Sequence, residues 1–492
     1  MNEILAYAMP GGMMLAGMLS IIVGFGAVLV WPRYLMFAFI ACMLVLASSS
    51  GYGYADASDS NVFWVKGSRT FFFTFIEMSL VGAWLAMLYR HAWQGRQAPW
   101  LPMSKFYIGL AVLLFGHCVV GLMTTDHSLL EDLSMRGFTG VLYQGMFVAL
   151  VLSTVRTERD LKLMATLFLV CLAGRHVFGL VRYIAFGGDP QNVYSVLGTS
   201  PVNITFFDIN DSILAAAMFA LCLWRLLTEG VQTLGPRLLL TGGMFMAFLT
   251  PLLSARRTAQ AGMLLAIVAL VPLLPRGRRW LAAAALVLAM PVVLYTLTKR
   301  LDTPGASIAD RVLIDIKTNP LADPRRSRFH ELTTAWQTIK ESPMFGLGPA
   351  GSFKVYDRIG LEYHGGRYDF VHSGFGHVLL KGGFVGLALF CGVLLSWALY
   401  VRRYWAVVQG PPQTLAVAAL AGLAASVPNL LFGTPVAEIR TMLVMGLLMA
   451  LPLVAIRLAR AQLADGRVTA PASTRAGAAQ VSGLRQRGAA WQ

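Results

Sequence analysis

Charge is what this chain has least of. Only 13% of its 492 residues are Asp, Glu, Lys or Arg, against about 25% in a soluble domain. So few charges do not clothe a water-exposed globule. With 57% hydrophobic residues and a mean hydropathy of +0.63, the composition is that of a bundle solvated by lipid. Cysteine is also scarce. The five present (Cys42, Cys118, Cys171, Cys222 and Cys391) all lie in apolar runs with no CxxC spacing, which excludes a disulfide framework and a zinc site. Carboxylates within the apolar runs are few, so no proton relay of an ion-coupled transporter is visible. Walker A, GxSxG, HExxH and EF-hand patterns are all missing. The first apolar run has no basic stretch ahead of it, and the expectation is that it is no cleavable signal peptide.

What the chain does have is repetition of long apolar runs. They fall near 10–31, 34–50, 70–89, 106–123, 140–155, 161–182, 205–227, 236–253, 258–275, 281–298, 371–401, 412–433 and 436–457. A spanning helix needs about 20 mostly apolar residues, so the expected fold is all-α, a polytopic transmembrane bundle of twelve or thirteen helices. The net charge of +16 would suit nucleic acid, but its placement argues against that partner. Lys and Arg gather in short connections: Arg90–Lys105, Arg156–Lys162, Arg225–Arg237, Arg276–Arg279, Arg402–Arg403 and the C-terminal tail. The positive-inside rule puts these in the cytoplasm. The alternate loops, 51–69, 124–139, 183–204, 254–257, 299–370 and 433–435, then lie outside.

One outer loop is far longer than a structural connection requires. The chain thus divides into a first part of the bundle (1–298), an outer loop with amphipathic helix (299–370), the last spanning helices (371–458) and a disordered basic cytoplasmic tail (459–492). Within the loop Phe329, Leu332, Trp336 and Ile339 recur at helical spacing, and Pro343 and Gly346 end that helix. A folded loop on one face of a bundle is where function concentrates.

Several charges sit where they cost energy. Arg256 and Arg257 lie in a tight junction between two apolar runs, on the outer side and so against the charge bias. They read either as a bidentate grip on an anion or as interfacial side chains reaching lipid headgroups. Arg175 and Arg182, seven apart on one helix face, point into the bundle. They read as an anion site or as partners of Asp208 or Asp211. Arg325, Arg326 and Arg328 cluster at the start of the loop helix, where an anion is favoured and where a solvated charge run is the plainer alternative. His372 lies where the loop re-enters the membrane; a histidine there can titrate near neutrality and serve as a base, or is simply structural. Asp56 and Asp59 read equally as a metal pair and as a solvated turn.

The stretch from Arg328 to Phe390 resembles the signature region of the O-antigen ligase and Wzy polymerase superfamily. It reads Arg328, then Ala335 to Pro343, Gly346-Leu347-Gly348, His372-Ser373 and Gly383-Phe384-Val385-Gly386. Ser254–Thr258 resembles the family's Ser-x-x-Arg element and places Arg257 on its arginine. Ser373 stands where Asn is commoner, and Leu332 where Trp is often found. The resemblance implies a GT-C-like, metal-independent inverting glycosyltransferase of the bacterial inner membrane, with no cofactor. It would move a glycan from undecaprenyl pyrophosphate to an acceptor on the periplasmic face. Arg257 and Arg328, with Arg256, Arg326 and Arg175, would hold the pyrophosphate, and His372 would be the catalytic base. Expected partners are the undecaprenyl-pyrophosphate-linked glycan, an acceptor glycan or lipid A core, and membrane lipid, with no nucleic acid. A repeat-unit polymerase is the preferred reading, because His372-Ser373-Gly374-Phe375 and Leu380-Lys381-Gly382-Gly383 look like exopolysaccharide members. An O-antigen ligase is the alternative, and a lipid-linked glycan flippase is the alternative of another class.

Overall fold

The computed structural model describes residues 22, 25–26, 29–30, 32–46, 74–95, 101–124, 138–189, 204–206, 208–228, 233–254, 256–280, 283–284, 287, 328–355 and 366–464. Among them are twelve α-helices: α1 Pro32–Val45, α2 Phe75–Trp93, α3 Ser104–Thr124, α4 Phe138–Thr154, α5 Glu158–Ala185, α6 Ile209–Thr228, α7 Leu234–Leu253, α8 Arg257–Leu270, α9 Arg328–Ile339, α10 Gly374–Tyr404, α11 Pro411–Phe432 and α12 Ile439–Ala464. The only sheet among these residues is a two-residue antiparallel pair, β1 Phe353–Lys354 with β2 Arg367–Tyr368. Seven helices (α3, α5, α6, α7, α10, α11 and α12) are long and apolar enough to cross a membrane. The protein is an all-α, multi-pass membrane bundle. Eleven of the thirteen apolar segments are described helices; most of 10–31 and 281–298, the Asp56/Asp59 pair and the tail beyond 464 lie outside the described residues.

Lipid is as apolar as a leucine side chain, so burying apolar area does not by itself bring spanning helices together; close packing and interhelical hydrogen bonds do. The chain supplies both. α12 is buried along nearly its whole length and α6 along most of its own. Small residues let α11 approach its neighbours: a Cβ on Gly262 of α8 would come within 2.6 Å of the Ala425 carbonyl oxygen, and one on Gly422 within 3.1 Å of Ala217 on α6. The Tyr107 hydroxyl donates to Gln144 (3.1 Å), and the Trp397 indole donates to the Met449 carbonyl (2.9 Å), linking α3 to α4 and α10 to α12.

α12 is also pinned at both ends by arginine on carbonyl. Arg440 reaches the Met43 and Leu44 carbonyls that close α1, and Arg457 reaches those of Leu152 and Val155 at the end of α4. A cation at a helix C-terminus satisfies orphan carbonyls and opposes the negative end of the dipole. Seventeen residues separate the two arginines in sequence, about 25 Å of helix, close to the ~30 Å of a hydrocarbon core.

The long helix α10 is broken. Gly383 has φ 61° and ψ −162°, dividing a half-helix at Gly374–Gly382 from the spanning part. Backbone groups opened by a break cannot be left to lipid. The Gly346-Leu347-Gly348 turn satisfies them: the Leu347 and Gly348 amides donate to the Leu380 and Lys381 carbonyls (2.9 and 3.0 Å). In the other direction the Phe384 and Val385 amides donate to the Pro343 and Met344 carbonyls (2.9 and 3.0 Å). Gly346 also has positive φ (76°), and a Cβ on it would strike the Gly383 amide nitrogen. Lys381, fully buried, donates from Nζ to the Pro349 and Gly351 carbonyls (2.6 and 2.7 Å), and the His117 ring from α3 bonds the Phe345 carbonyl (2.8 Å).

A second, smaller core lies on this turn. Ala335 and Ile339 of α9 pack with Phe353, Val355, Tyr368, Phe370, Val371 and Leu380. Of the apolar face expected for α9, Ile339 is buried in this core, Leu332 and Trp336 are 40% and 39% exposed, and the side chain of Phe329 lies outside the described ones. Ala335 is buried beside Ile339, and Trp336 stands at the edge of the docked face. There Trp336 meets Phe384 edge-on at 6.2 Å.

Substituting Gly383→Ala is expected to cost about 3 kcal/mol or more, since left-handed strain of about 1–2 kcal/mol adds to a collision with the Met344 backbone. Gly95→Ala, equally strained (φ 60°) but with open space around it, is expected to cost only the strain. Denaturant unfolding in mixed micelles checks the difference; equal losses would contradict the pairing.

Candidate functional site

The end of the bundle that carries the 299–370 loop is built around charge. Asp208 and Asp211 stand at the start of α6, both largely out of solvent. Arg175 on α5 grips Asp211 bidentately, Nε to Oδ1 at 2.9 Å and Nη2 to Oδ2 at 2.8 Å, while Nη1 donates to the Val45 carbonyl at 3.0 Å. Arg440 on α12 is fully buried. Its Nη1 lies 2.5 Å from Asp208 Oδ2 and its Nη2 3.9 Å from Asp211 Oδ1, while Nε and Nη2 reach the Met43 and Leu44 carbonyls at 3.0 and 3.2 Å. Two guanidinium groups thus close α1 and tie it to α5, α6 and α12. Of the two carboxylates weighed for Arg175, Asp211 is its partner, and all three of its nitrogens are engaged.

Arg182 donates to the Thr205 carbonyl (2.6 Å) and pairs with Asp189 (2.9 Å). Arg175 and Arg182 do share a face: the Phe206 ring lies 4.4 Å from one guanidinium carbon and 5.0 Å from the other. That ring fits because Gly179 between them has no Cβ to meet it.

Arg256 and Arg257 flank this network at the junction of α7 and α8. Ser254 turns the chain, its hydroxyl donating to the Pro251 carbonyl (2.7 Å) and accepting from the Arg256 amide (3.3 Å). Arg256 is the N-cap residue of α8 and Arg257 its first residue, both half-buried. One turn on, Gln260 is buried, and its Oε1 has no hydrogen-bond partner among the described residues. A helix start attracts anions and disfavours cations, so two arginines there are better placed to meet an incoming anion than to stabilise the helix. Glu438, in the turn between α11 and α12, accepts from the Thr441 hydroxyl at 2.8 Å. Burial pushes its carboxyl up to about 7, helped by the neighbouring Asp208 charge and opposed by the Thr441 hydroxyl, Arg256 and Arg440.

His372 stands just ahead of α10. Ser373 is the N-cap, its hydroxyl accepting from the Gly376 amide (3.2 Å). Serine and asparagine are near-equivalent N-caps, which explains why Ser serves where the family commonly has Asn. The His372 ring meets Phe370 edge-on at 5.2 Å and Tyr368 at 6.3 Å. Its Nδ1 lies 2.8 Å from Glu331 Oε2, and its backbone amide donates to Glu331 Oε1 at 2.7 Å. In the sequence Glu331 is one acid among nearly balanced loop charges, marked only by its position three residues after Arg328, in the first turn of α9. Arg328 opens α9, and Arg326 lies outside the described residues.

Packing brings the Ser-x-x-Arg and His-Ser elements to one level. Gly262 of α8 abuts Ala425 of α11, while Gly374 of α10 lies against Leu430 of α11 and Val436, with Cβ distances of 3.1 Å. Five residues from Gly262 to Arg257, and five from Ala425 to Leu430, each climb about 7.5 Å. Arg257 and His372 therefore flank the same end of α11. The turn at Pro435–Ala437 joins them, with Ala437 on the small core beside His372 and Glu438 beside Arg256.

The fold is that of a multi-pass helical membrane protein, and its loop end carries Arg256, Arg257 and His372. Residues 242–391 match the family model described as O-antigen ligase, which bears out the resemblance drawn from the motifs. The match runs from α7 into α10 and takes in Arg257, Arg328 and His372; Arg175 falls outside it. No curated protein matches the chain.

Asp211→Asn should cost about 3–5 kcal/mol, because it strands a buried guanidinium. Adding Arg175→Met is expected to recover part of that loss, with a coupling of about 1–3 kcal/mol in a double-mutant cycle of unfolding free energies. Additive losses would contradict the pair.

Proposed function

We propose that the protein is a membrane glycosyltransferase that moves a glycan from undecaprenyl pyrophosphate to an acceptor glycan on the periplasmic face of the bacterial inner membrane. A Wzy-type polymerase is the preferred form. The observation that carries the reading is the convergence of Arg257, at the start of α8, and His372, at the start of α10, on one end of α11 within the family-matched stretch.

In this reaction the acceptor hydroxyl oxygen attacks the anomeric carbon as the bond to pyrophosphate breaks on the opposite side, with inversion. His372 takes the hydroxyl proton. The leaving pyrophosphate gains charge as the bond lengthens, and fixed cations that meet it there lower the barrier. Arg257 and Arg256 supply that charge with the α8 N-terminus behind them, and Arg328 and Arg326 add to it from the loop. Arg175, committed to Asp211, acts by holding the framework. The residues named provide positioning, charge and a base, and the scheme uses neither nucleotide sugar nor metal. The positive-inside pattern of the loops supports a periplasmic site and a cytoplasmic C-terminus. The family description supports a second form, an O-antigen ligase with lipid A core as acceptor.

Purified protein in nanodiscs, given undecaprenyl-pyrophosphate glycan and candidate acceptors, tests this. His372→Ala, Arg257→Ala and Arg328→Ala are each expected to lose at least about 100-fold in turnover, and wild-type turnover by all three would contradict the assignment. Longer glycan on the carrier identifies a polymerase; glycan on lipid A core identifies a ligase.

A further inference from the structure

The loop helix carries a group that the proposed chemistry has not yet used. Glu331 holds His372 at two points with one carboxylate: Oε1 accepts from the backbone amide at 2.7 Å, and Oε2 lies 2.8 Å from ring Nδ1. Both side chains are mostly buried, the His372 ring 18% exposed and the Glu331 side chain 11%. The two residues are 41 apart in sequence and belong to different elements, so the contact is made only when α9 docks on the start of α10. Docking is fixed by Ala335 and Ile339, one and two turns further along α9, in the small core with Phe370 and Val371. The rings of Phe370 and Tyr368 stand edge-on to the imidazole and leave it little room to rotate.

An ionised carboxylate only accepts hydrogen bonds. A ring nitrogen 2.8 Å from it therefore carries the proton, and in the neutral imidazole the proton on Nδ1 leaves the lone pair on Nε2. We infer that Glu331 is the positioning residue of the site: it fixes His372 in the Nδ1–H tautomer, so that Nε2 faces the acceptor hydroxyl as a base. This rests on the transferase reading of His372 and adds to it what makes that histidine competent. When the hydroxyl proton passes to Nε2, the ring becomes an imidazolium whose charge the Glu331 carboxylate stabilises across the same hydrogen bond. The proton then leaves Nε2 to solvent after the glycan has moved.

The arrangement also gives the long loop a role. Arg328 and Glu331 are three apart on α9 and so occupy one helix face. The helix that carries the orienting carboxylate therefore also carries Arg328, a residue proposed for the departing pyrophosphate. A site whose base is aligned by a docked loop is complete only with that loop in place.

Glu331→Gln separates orientation from folding. The glutamine carbonyl oxygen still accepts from the His372 amide, so α9 keeps its anchor. The glutamine amino group, however, donates to Nδ1 and drives the ring proton to Nε2, the unproductive tautomer, as amide-for-carboxylate replacement does in other carboxylate–histidine pairs. Expected are a fall in kcat of about 100-fold or more with KM nearly unchanged, and a thermal transition close to wild type. The ascending limb of the pH–rate profile should move to lower pH, because the imidazolium has lost its carboxylate. ¹⁵N shifts of labelled histidine, with His372 assigned by its loss in His372→Ala, should show Nδ1–H in the wild type and Nε2–H in Glu331→Gln. That measurement requires no turnover. Wild-type kcat, an unmoved pH limb and an unchanged tautomer in Glu331→Gln, alongside an inactive His372→Ala, would overturn the role of Glu331 while sparing that of His372. An active His372→Ala would overturn both.

Discussion

The structure depends on the pairing of two buried arginines, Arg175 and Arg440, with two aspartates at the start of α6 and three carbonyls at the end of α1. At that depth little water is available to solvate charge, and an unpaired guanidinium there costs several kcal/mol. Each arginine has a carboxylate, and the directions left over go to carbonyls that a helix end would otherwise leave open. Four helices are tied at one point. Everything else at the loop end, including the α7–α8 junction with its two outlying arginines and the turn that carries Glu438, is placed relative to that knot.

The same constraint shapes α10. A helix broken near the membrane surface exposes backbone groups that lipid cannot satisfy, and the Gly-x-Gly turn satisfies them with four hydrogen bonds while two glycines permit the contact. The break has a consequence for function. The short half-helix Gly374–Gly382 beyond it starts against the end of α11, where a Cβ on Gly374 would meet Leu430 and Val436, with His372 just ahead. The glycines of the motif permit the backbone contacts on which this placement rests.

Much of this was legible in the sequence, and the rest was not for identifiable reasons. Apolar runs mark spanning helices directly, because lipid imposes one length and one composition. Arg175 and Arg182 were recognisable as charges facing the bundle, but spacing along one helix does not choose between Asp208 and Asp211 on another. Arg440 passed unnoticed inside an apolar run, though a single arginine there is as costly as any. The glycines of Gly346-Leu347-Gly348 and Gly383-Phe384-Val385-Gly386 were visible as motifs, yet their mutual pairing is a backbone contact across 37 residues and leaves no periodicity. Glu331 hid among nearly balanced loop charges for the same reason: its partner is distant in sequence. The docked face of α9 holds Ile339, as the periodicity indicates, together with the small Ala335, which a pattern of large apolar residues does not mark.

The central claim is that Arg257 and His372 flank one substrate site at the end of α11. A structure of the protein in nanodiscs with a non-hydrolysable undecaprenyl-pyrophosphate glycan analogue tests it most directly. The account predicts density for the pyrophosphate at the start of α8, within hydrogen-bond reach of Arg257, and the sugar's anomeric carbon on the side of His372 Nε2. Pyrophosphate bound at the opposite end of the bundle, or along a path through it that avoids both residues, would contradict the account.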